Sequence, residues 1–298
     1  MSGPRSKSAG PDLVRANPFS VSTARGVSVL RALDMQRPEQ HRLAADPYAP
    51  HFVNPLTVLA TRAALATGTL RLIGFEPMIN FALARERLIG ELMDQEATAG
   101  IGQIVVLGAG FDTRAYRLAD GAGIPVFEVD HPVTQHAKRT AIAGVVEPLP
   151  GNVRFVAVDF DRDDLGARLH DAGYRADLRT LFVWQGVIMY LTPAGIDATL
   201  GVVATHAAAG SIVVFDYMYA RLKRRMAGPS PLRLFTQLVG EQMSFAIDPQ
   251  DLGPFLAARG FEMVESIDGE MLQRRYAGRL QGRPVERDAA IAVARVAG

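Results

Sequence analysis

The chain has no cysteine among its 298 residues. That excludes disulfides and cysteine-based metal sites, and it suits a reducing cytoplasm. An excess of charge of one sign is also missing. The formal net charge is +1, so there is no electrostatic footprint for nucleic acid. Lysine is nearly absent: Lys7, Lys138 and Lys223 stand among 32 basic residues. Arginine in their place, with abundant Ala, Gly and Val, points to a GC-rich bacterial genome. No apolar run reaches the length of a membrane span. The longest, around residues 181–191, reads as a buried strand, and no membrane association is expected. The N-terminus carries Arg5 and Lys7 without the apolar core of a secretory signal, which gives a cytoplasmic expectation. The six histidines lack metal-ligand spacing. His131 and His136 are five apart rather than the i,i+4 of a helical zinc site, so no metal is expected.

What is present is a globular composition, 48% hydrophobic, organised as one domain over residues 18–298. Residues 1–17 are rich in Ser, Gly, Pro and charge and are expected to lack fixed structure. Residues 18–100 read as N-terminal helices: one from Ser20 to Ala32, a start signal at Asp46-Pro47, then helices over 55–67 and 77–97. Strands come next at 103–107, 125–129, 153–158, 180–185 and 211–216, alternating with helices at 112–118, 132–143, 163–172 and 193–208. Short apolar strands alternating with helices predict a parallel, doubly wound α/β sheet covered on both faces. Helix 249–258 and strands 261–267 and 289–296 complete seven strands, the last two antiparallel at one edge. Between them and the core, residues 217–247 break the rhythm with a basic stretch and Gly228-Pro229-Ser230-Pro231. They predict an insertion that forms a lid over the substrate.

The most informative string is Leu107-Gly108-Ala109-Gly110-Phe111-Asp112-Thr113-Arg114, between the first strand and a second that ends at Asp130. A strand, a glycine turn, a helix start and an acid about 20 residues on is a nucleotide-binding layout. Gly108 and Gly110 allow a sharp bend and close approach to a ligand. Asp130 can accept from both hydroxyls of a ribose. A dinucleotide site wants a small third residue and a helix N-terminus facing pyrophosphate. Thr113 and the carboxylate of Asp112 fit that poorly. They suit the cationic end of S-adenosylmethionine, so a nicotinamide oxidoreductase is disfavoured.

The string LGAGFDTRAYRL, with FEVDHP after it, resembles the leucine carboxyl methyltransferase family. STARGVSVLRA at 22–32, DPYAPHFV at 46–53 and LFVWQGVIMYLTP at 181–193 extend the likeness from about residue 20 to about 216. The resemblance implies a Rossmann-like class I methyltransferase that uses S-adenosylmethionine. It carries Arg85 over as the clamp of the cofactor's carboxylate, with Arg87 as a competitor. It also carries over Gly108, Ala109, Gly110, Asp112, Arg114 and Asp130 around the cofactor, and Asp159 and Phe160 at the adenine. Gln185 departs from the pattern, because family members often have Glu there to meet the methionyl ammonium. Asp112 could compensate, and restoring Glu is expected to keep or improve affinity. Near the acceptor, Tyr190 matches the family's tyrosine. His51 could reach the same pocket as a base.

Methyl transfer from a sulfonium is an in-line displacement in which the protein mainly positions the reactants. A carboxylate acceptor is already ionised at neutral pH and needs no base, whereas a phenol with pKa about 10 would benefit from one. No nucleophile, metal site or His–carboxylate pair is evident at the strand ends. The favoured reading is therefore O-methylation of a small-molecule carboxylate in bacterial secondary metabolism. The alternatives are a phenol or polyketide hydroxyl, a protein C-terminal carboxyl, and a binding protein without turnover. The oligomeric state, monomer or homodimer, stays open.

Overall fold

The computed structural model describes residues 18–118, 123–160, 162–228 and 243–298. Among these residues, seven strands form one sheet: β1 Gln103–Leu107, β2 Val126–Asp130, β3 Val153–Ala157, β4 Thr180–Trp184, β5 Ile212–Met218, β6 Phe261–Asp268 and β7 Ala289–Val296. Their order is β3-β2-β1-β4-β5-β7-β6. The first five pair in parallel, and β7 runs antiparallel to both β5 and β6. The expected antiparallel edge is present. Its strands are joined by two short helices, Gly269–Arg275 and Ala277–Leu280.

Period-two alternation sends successive side chains to opposite faces of the sheet. Ile104 and Val106 of β1 and Leu181 and Val183 of β4 enter one core layer with Leu83, Leu88, Ile89 and Met93. Those four belong to the long helix Glu76–Thr98. Val105, Leu107, Phe182 and Trp184 enter the other layer, with Ile196, Leu200, Leu252 and Leu256. These come from helices Pro193–His206 and Pro249–Ala257. Each fully buried aliphatic side chain of this kind contributes about 1.5–3 kcal/mol. Strands covered on both faces read as continuous apolar runs, which is why β1, β4 and β5 match their predicted positions closely.

Local chemistry sets the helix starts. Asn54 caps helix Pro55–Ala66 by accepting from Leu56 N at 2.9 Å, and Thr192 caps Pro193–His206 through Gly195 N at 3.1 Å. Pro comes directly after at the first helical position in both, where its missing N–H costs nothing.

Two expected helices are turns instead. After the glycine turn only Arg114–Tyr116 is helical, and as a 3₁₀ turn. The Asp112 carboxylate accepts from Arg114 N at 2.8 Å and closes a local ring that competes with helix propagation. At Asp46-Pro47 the carboxylate is a tertiary anchor: Oδ1 accepts from Tyr48 N at 3.0 Å and from Thr113 Oγ1 at 2.7 Å. The chain beyond it forms only the short 3₁₀ turn Ala49–Phe52.

Of the expected 217–247 insertion, the structure describes helix Ala220–Ala227 and the returning chain. Ser244 N and Phe245 N donate to Met189 O, and Ile247 N to Met218 O. Residues 229–242, which would carry the lid itself, lie outside the described residues, as does the 1–17 segment. No helix among the described residues is long and apolar enough to cross a membrane.

Candidate functional site

The strand order reverses beside β1, with β2 on one side and β4 on the other. In open α/β sheets, ligands bind at the carboxyl ends of the strands at this switch point. A cavity of about 610 Å³ opens there. Its floor is the turn after β1, and its shape depends on two positions of that turn, Gly108 and Gly110, having no side chain. Gly108 sits at φ +66°, and a Cβ on it would stand 2.5 Å from Val187 Cγ2; at Gly110, φ +47°, a Cβ would stand 3.2 Å from Ala24 Cβ. Asp130, at the end of β2, accepts from the backbone N–H groups of Gly110 and His131. It thereby ties the second strand to the turn. Burial pushes its carboxyl above the ordinary value despite those two donors.

The opposite wall is a chain of charges. Arg114 Nε reaches Asp112 Oδ2 at 2.9 Å and Oδ1 at 3.1 Å, and Nη2 donates to Gln185 Oε1 at 2.7 Å. Gln185 Nε2 in turn donates to Glu86 Oε1. Arg85 pairs with Asp216, whose other oxygen accepts from Gly186 N at 2.6 Å. From the N-terminal helix Pro18–Met35, Arg31 pairs with Asp46 at 3.1 Å and donates to Phe111 O at 2.7 Å. That helix is thus bolted onto the glycine turn.

Burial alone would raise the carboxyl of Asp112, but the guanidinium of Arg114, with Lys138 and Arg31 behind it, holds it well below the ordinary value. Glu86 behaves alike. Burial works against its charge, Asp112 opposes it further, and Arg114, Arg31 and Arg85 together bring it below the ordinary value.

Of the residues singled out from sequence, Arg85, Gly108, Ala109, Gly110, Asp112, Arg114, Asp130, Phe160, Gln185 and Tyr190 all line this cavity. Two do not. Asp159 lies outside the lining, 3.7 Å from Arg162. His51 is exposed; its neighbour Phe52 turns inward instead and packs on Phe111 with ring centroids 5.0 Å apart. A base at position 51 therefore does not reach the cavity. The competitor Arg87 pairs with Glu91 at 2.7 Å on the same helix, away from the lining.

Three contributors were not foreseen: Arg31, Glu86 and Asp216. Glu86 is the next residue after Arg85, so the Arg-Glu-Arg string at 85–87 was visible, but not which of its faces turns inward. Among the described residues no group of acids and histidines is placed to hold a metal ion.

This lining can hold a zwitterionic amino acid joined to a nucleoside. Arg85 Nε, Arg114 Nη1 and Thr134 Oγ1 are buried, and no described residue partners them. Two of these are guanidinium donors suited to a carboxylate. Phe160 offers a ring face, Asp130 a hydroxyl acceptor, and Glu86 a counter-charge for a cation.

A model of the leucine carboxyl methyltransferase family matches residues 24–204. A protein of Mycolicibacterium smegmatis, named as an S-adenosyl-L-methionine-dependent methyltransferase, is 35% identical over 213 residues, 70% of each chain. One of the same name from Mycolicibacterium vanbaalenii is 29% identical over 281 residues, 90% of this chain and 89% of its own. The crystal structure of a possible exported protein from Bordetella parapertussis superposes with a TM-score of 0.52 at 15% identity, covering 98% of this chain and 100% of the other. At that identity the likeness concerns the fold alone.

Proposed function

The chain belongs to the leucine carboxyl methyltransferase family, and on that premise we propose that this S-adenosylmethionine-dependent methyltransferase esterifies a small-molecule carboxylate in the bacterial cytoplasm, in secondary metabolism. Its sheet is the seven-stranded class I methyltransferase sheet. When bound, the cofactor supplies an electrophilic methyl group on a sulfonium. The protein's own part is to hold the donor, admit the acceptor oxygen in line and exclude water.

One observation carries the carboxylate reading. We take the lining residues Ala24, Val27, Val187, Tyr190 and Leu191 as the acceptor wall; its single polar side chain is the Tyr190 hydroxyl. No histidine or carboxylate belongs to that wall; His51 is exposed and outside the lining, and His131, which does line the cavity, stands at the end of β2 beside Asp130 and accepts from Val133 N at 3.3 Å. An acceptor that must be deprotonated would find no base at that wall. An ionised carboxylate needs only desolvation and alignment.

The test is chemical. The purified protein is incubated with methyl-labelled cofactor and a panel of small acids, phenols and carboxyl-terminal peptides, and the labelled products are then treated with mild alkali. Esters of small acids, which release label as methanol, are the expected result. Alkali-stable label on every turned-over substrate would replace the carboxylate by a phenolic hydroxyl. Label confined to peptides would make a protein terminus the acceptor.

The cofactor half is tested by calorimetry. We expect binding of S-adenosylmethionine and S-adenosylhomocysteine and none of NAD. Asp130→Ala should weaken binding by about 1.5–3 kcal/mol for each charge-assisted hydrogen bond it loses. Unchanged affinity in a folded Asp130→Ala protein would remove Asp130 from the ribose site.

A further inference from the structure

We propose that Glu86 is the residue that recognises the cofactor's α-ammonium in this chain, in place of the carboxylate that the family resemblance leads one to expect at position 185. The inference rests on the proposed function, in which this cavity is the S-adenosylmethionine site, and it names the group that makes one of its contacts.

Gln185 is neutral, and both ends of its amide are engaged. Oε1 accepts from Arg114 Nη2 at 2.7 Å and Nε2 donates to Glu86 Oε1. The two neighbours fix the amide's orientation. A flip would set N–H against a guanidinium and oxygen against a carboxylate, and neither makes a hydrogen bond. Gln185 therefore spans a cation and an anion, and its only acceptor atom points at the cation.

The other carboxylates of the region are committed. Asp112 has both oxygens on Arg114. Asp130 accepts from two backbone N–H groups on the ribose side of the turn. Asp216 is held by Arg85 and Gly186 N and does not line the cavity. Glu86 does line it, with only 6% of its surface exposed. Among the lining carboxylates it is the one on no arginine and no backbone N–H in the described contacts.

A carboxylate this buried would ordinarily be neutralised. Arg114, Arg31 and Arg85 act on Glu86 strongly enough to keep it charged. A charged acceptor is thus maintained on the cavity wall next to guanidinium donors of Arg85 and Arg114 that have no partner among the described residues. Anion and cations side by side complement an α-amino acid, whose ammonium carries three donors.

The arrangement also explains why position 185 is an amide. A second carboxylate there would face Glu86 across a single hydrogen bond, and like charges at that distance do not both stay ionised. The negative charge here sits on the helix Glu76–Thr98 rather than at the end of β4, and Gln185 bridges it to Arg114. Restoring Glu at 185 alone should therefore lower cofactor affinity, contrary to the expectation from sequence.

Calorimetry with two ligands tests the proposal. S-adenosylhomocysteine carries the amino-acid group, and 5′-methylthioadenosine shares its nucleoside but lacks that group. Glu86→Gln, nearly isosteric, should weaken S-adenosylhomocysteine by about tenfold or more, as for loss of a charge-assisted hydrogen bond. It should leave methylthioadenosine within about twofold. Adding Gln185→Glu to that variant should restore most of the preference for S-adenosylhomocysteine. Unchanged S-adenosylhomocysteine affinity, or an equal loss for both ligands, overturns the assignment. Should Glu86→Gln fail to fold, Glu86→Asp withdraws the charge without removing it. The preference should then fall, and an unchanged preference overturns the assignment equally. A wild-type protein that binds neither ligand refutes the cofactor reading itself and this proposal with it.

Discussion

Replacing Arg114 with leucine is expected to destabilise the protein by about 3–5 kcal/mol, the range for removing one partner of a buried ion pair. Arg114 is 4% exposed and binds Asp112 through two nitrogens and Gln185 through one of them. Its removal leaves two carboxylates, buried Glu86 and half-buried Asp112, without their principal cation. Urea unfolding at neutral pH reads the loss.

The pH dependence gives the effect a sign. In the wild type the Asp112 carboxyl titrates below its ordinary value of 3.8. Below that value the unfolded chain binds more protons than the folded one. The contribution of Asp112 to stability is therefore complete above it and is lost as pH falls through the folded value. Without Arg114, burial is expected to outweigh the remaining Lys138, Arg31 and Arg85, so that the folded carboxyls titrate above their ordinary values. The folded variant then binds the extra protons, and its stability falls as pH rises through that window. The gap between wild type and variant should be widest at neutral pH and should narrow toward pH 4. A gap that does not change with pH would mean that Arg114 acts through packing rather than charge.

The parts of this molecule that were readable from sequence are those governed by local rules. Strands β1, β4 and β5 are apolar runs because both faces are covered, and no other element competes for such segments. The Gly108–Gly110 turn was readable because its backbone geometry admits little else. What escaped is set by contacts between distant segments. Arg85 could be named as a site residue, but its partner Asp216 lies 131 residues away. Gln185 could be recognised as a departure, but the carboxylate beside it belongs to a helix 99 residues earlier. His51 and Asp159 were placed by the motif around them. In each case the neighbouring aromatic turns inward and the polar residue stays out of the cavity, Phe52 against Phe111 and Phe160 on the lining. The predicted helix at 112–118 failed because Asp112 bonds its own backbone two residues on, a local competition that propensity and periodicity do not register.

The role of Arg85 can be separated from that of its counter-ion. Asp216→Ala should cost about 3–5 kcal/mol, because it strands a guanidinium that is 6% exposed and also removes the acceptor of Gly186 N–H. Replacing both members, Arg85→Met with Asp216→Leu, exchanges the pair for apolar groups of similar volume. Such exchanges of buried ion pairs are often neutral or stabilising, so the double variant should recover much of the stability in urea unfolding, short of the part lost with the Gly186 contact. Cofactor binding should not recover with it. Arg85 lines the cavity, and its Nε is a buried donor with no partner among the described residues. A carboxylate held there by the guanidinium would lose a charge-assisted contact, so the affinity for S-adenosylhomocysteine should stay depressed by about tenfold or more. Binding of 5′-methylthioadenosine, which has no carboxylate, should return with the fold. If the double variant instead regains full affinity for S-adenosylhomocysteine, Arg85 serves only to neutralise Asp216, and the cofactor's carboxylate must fall to Arg114.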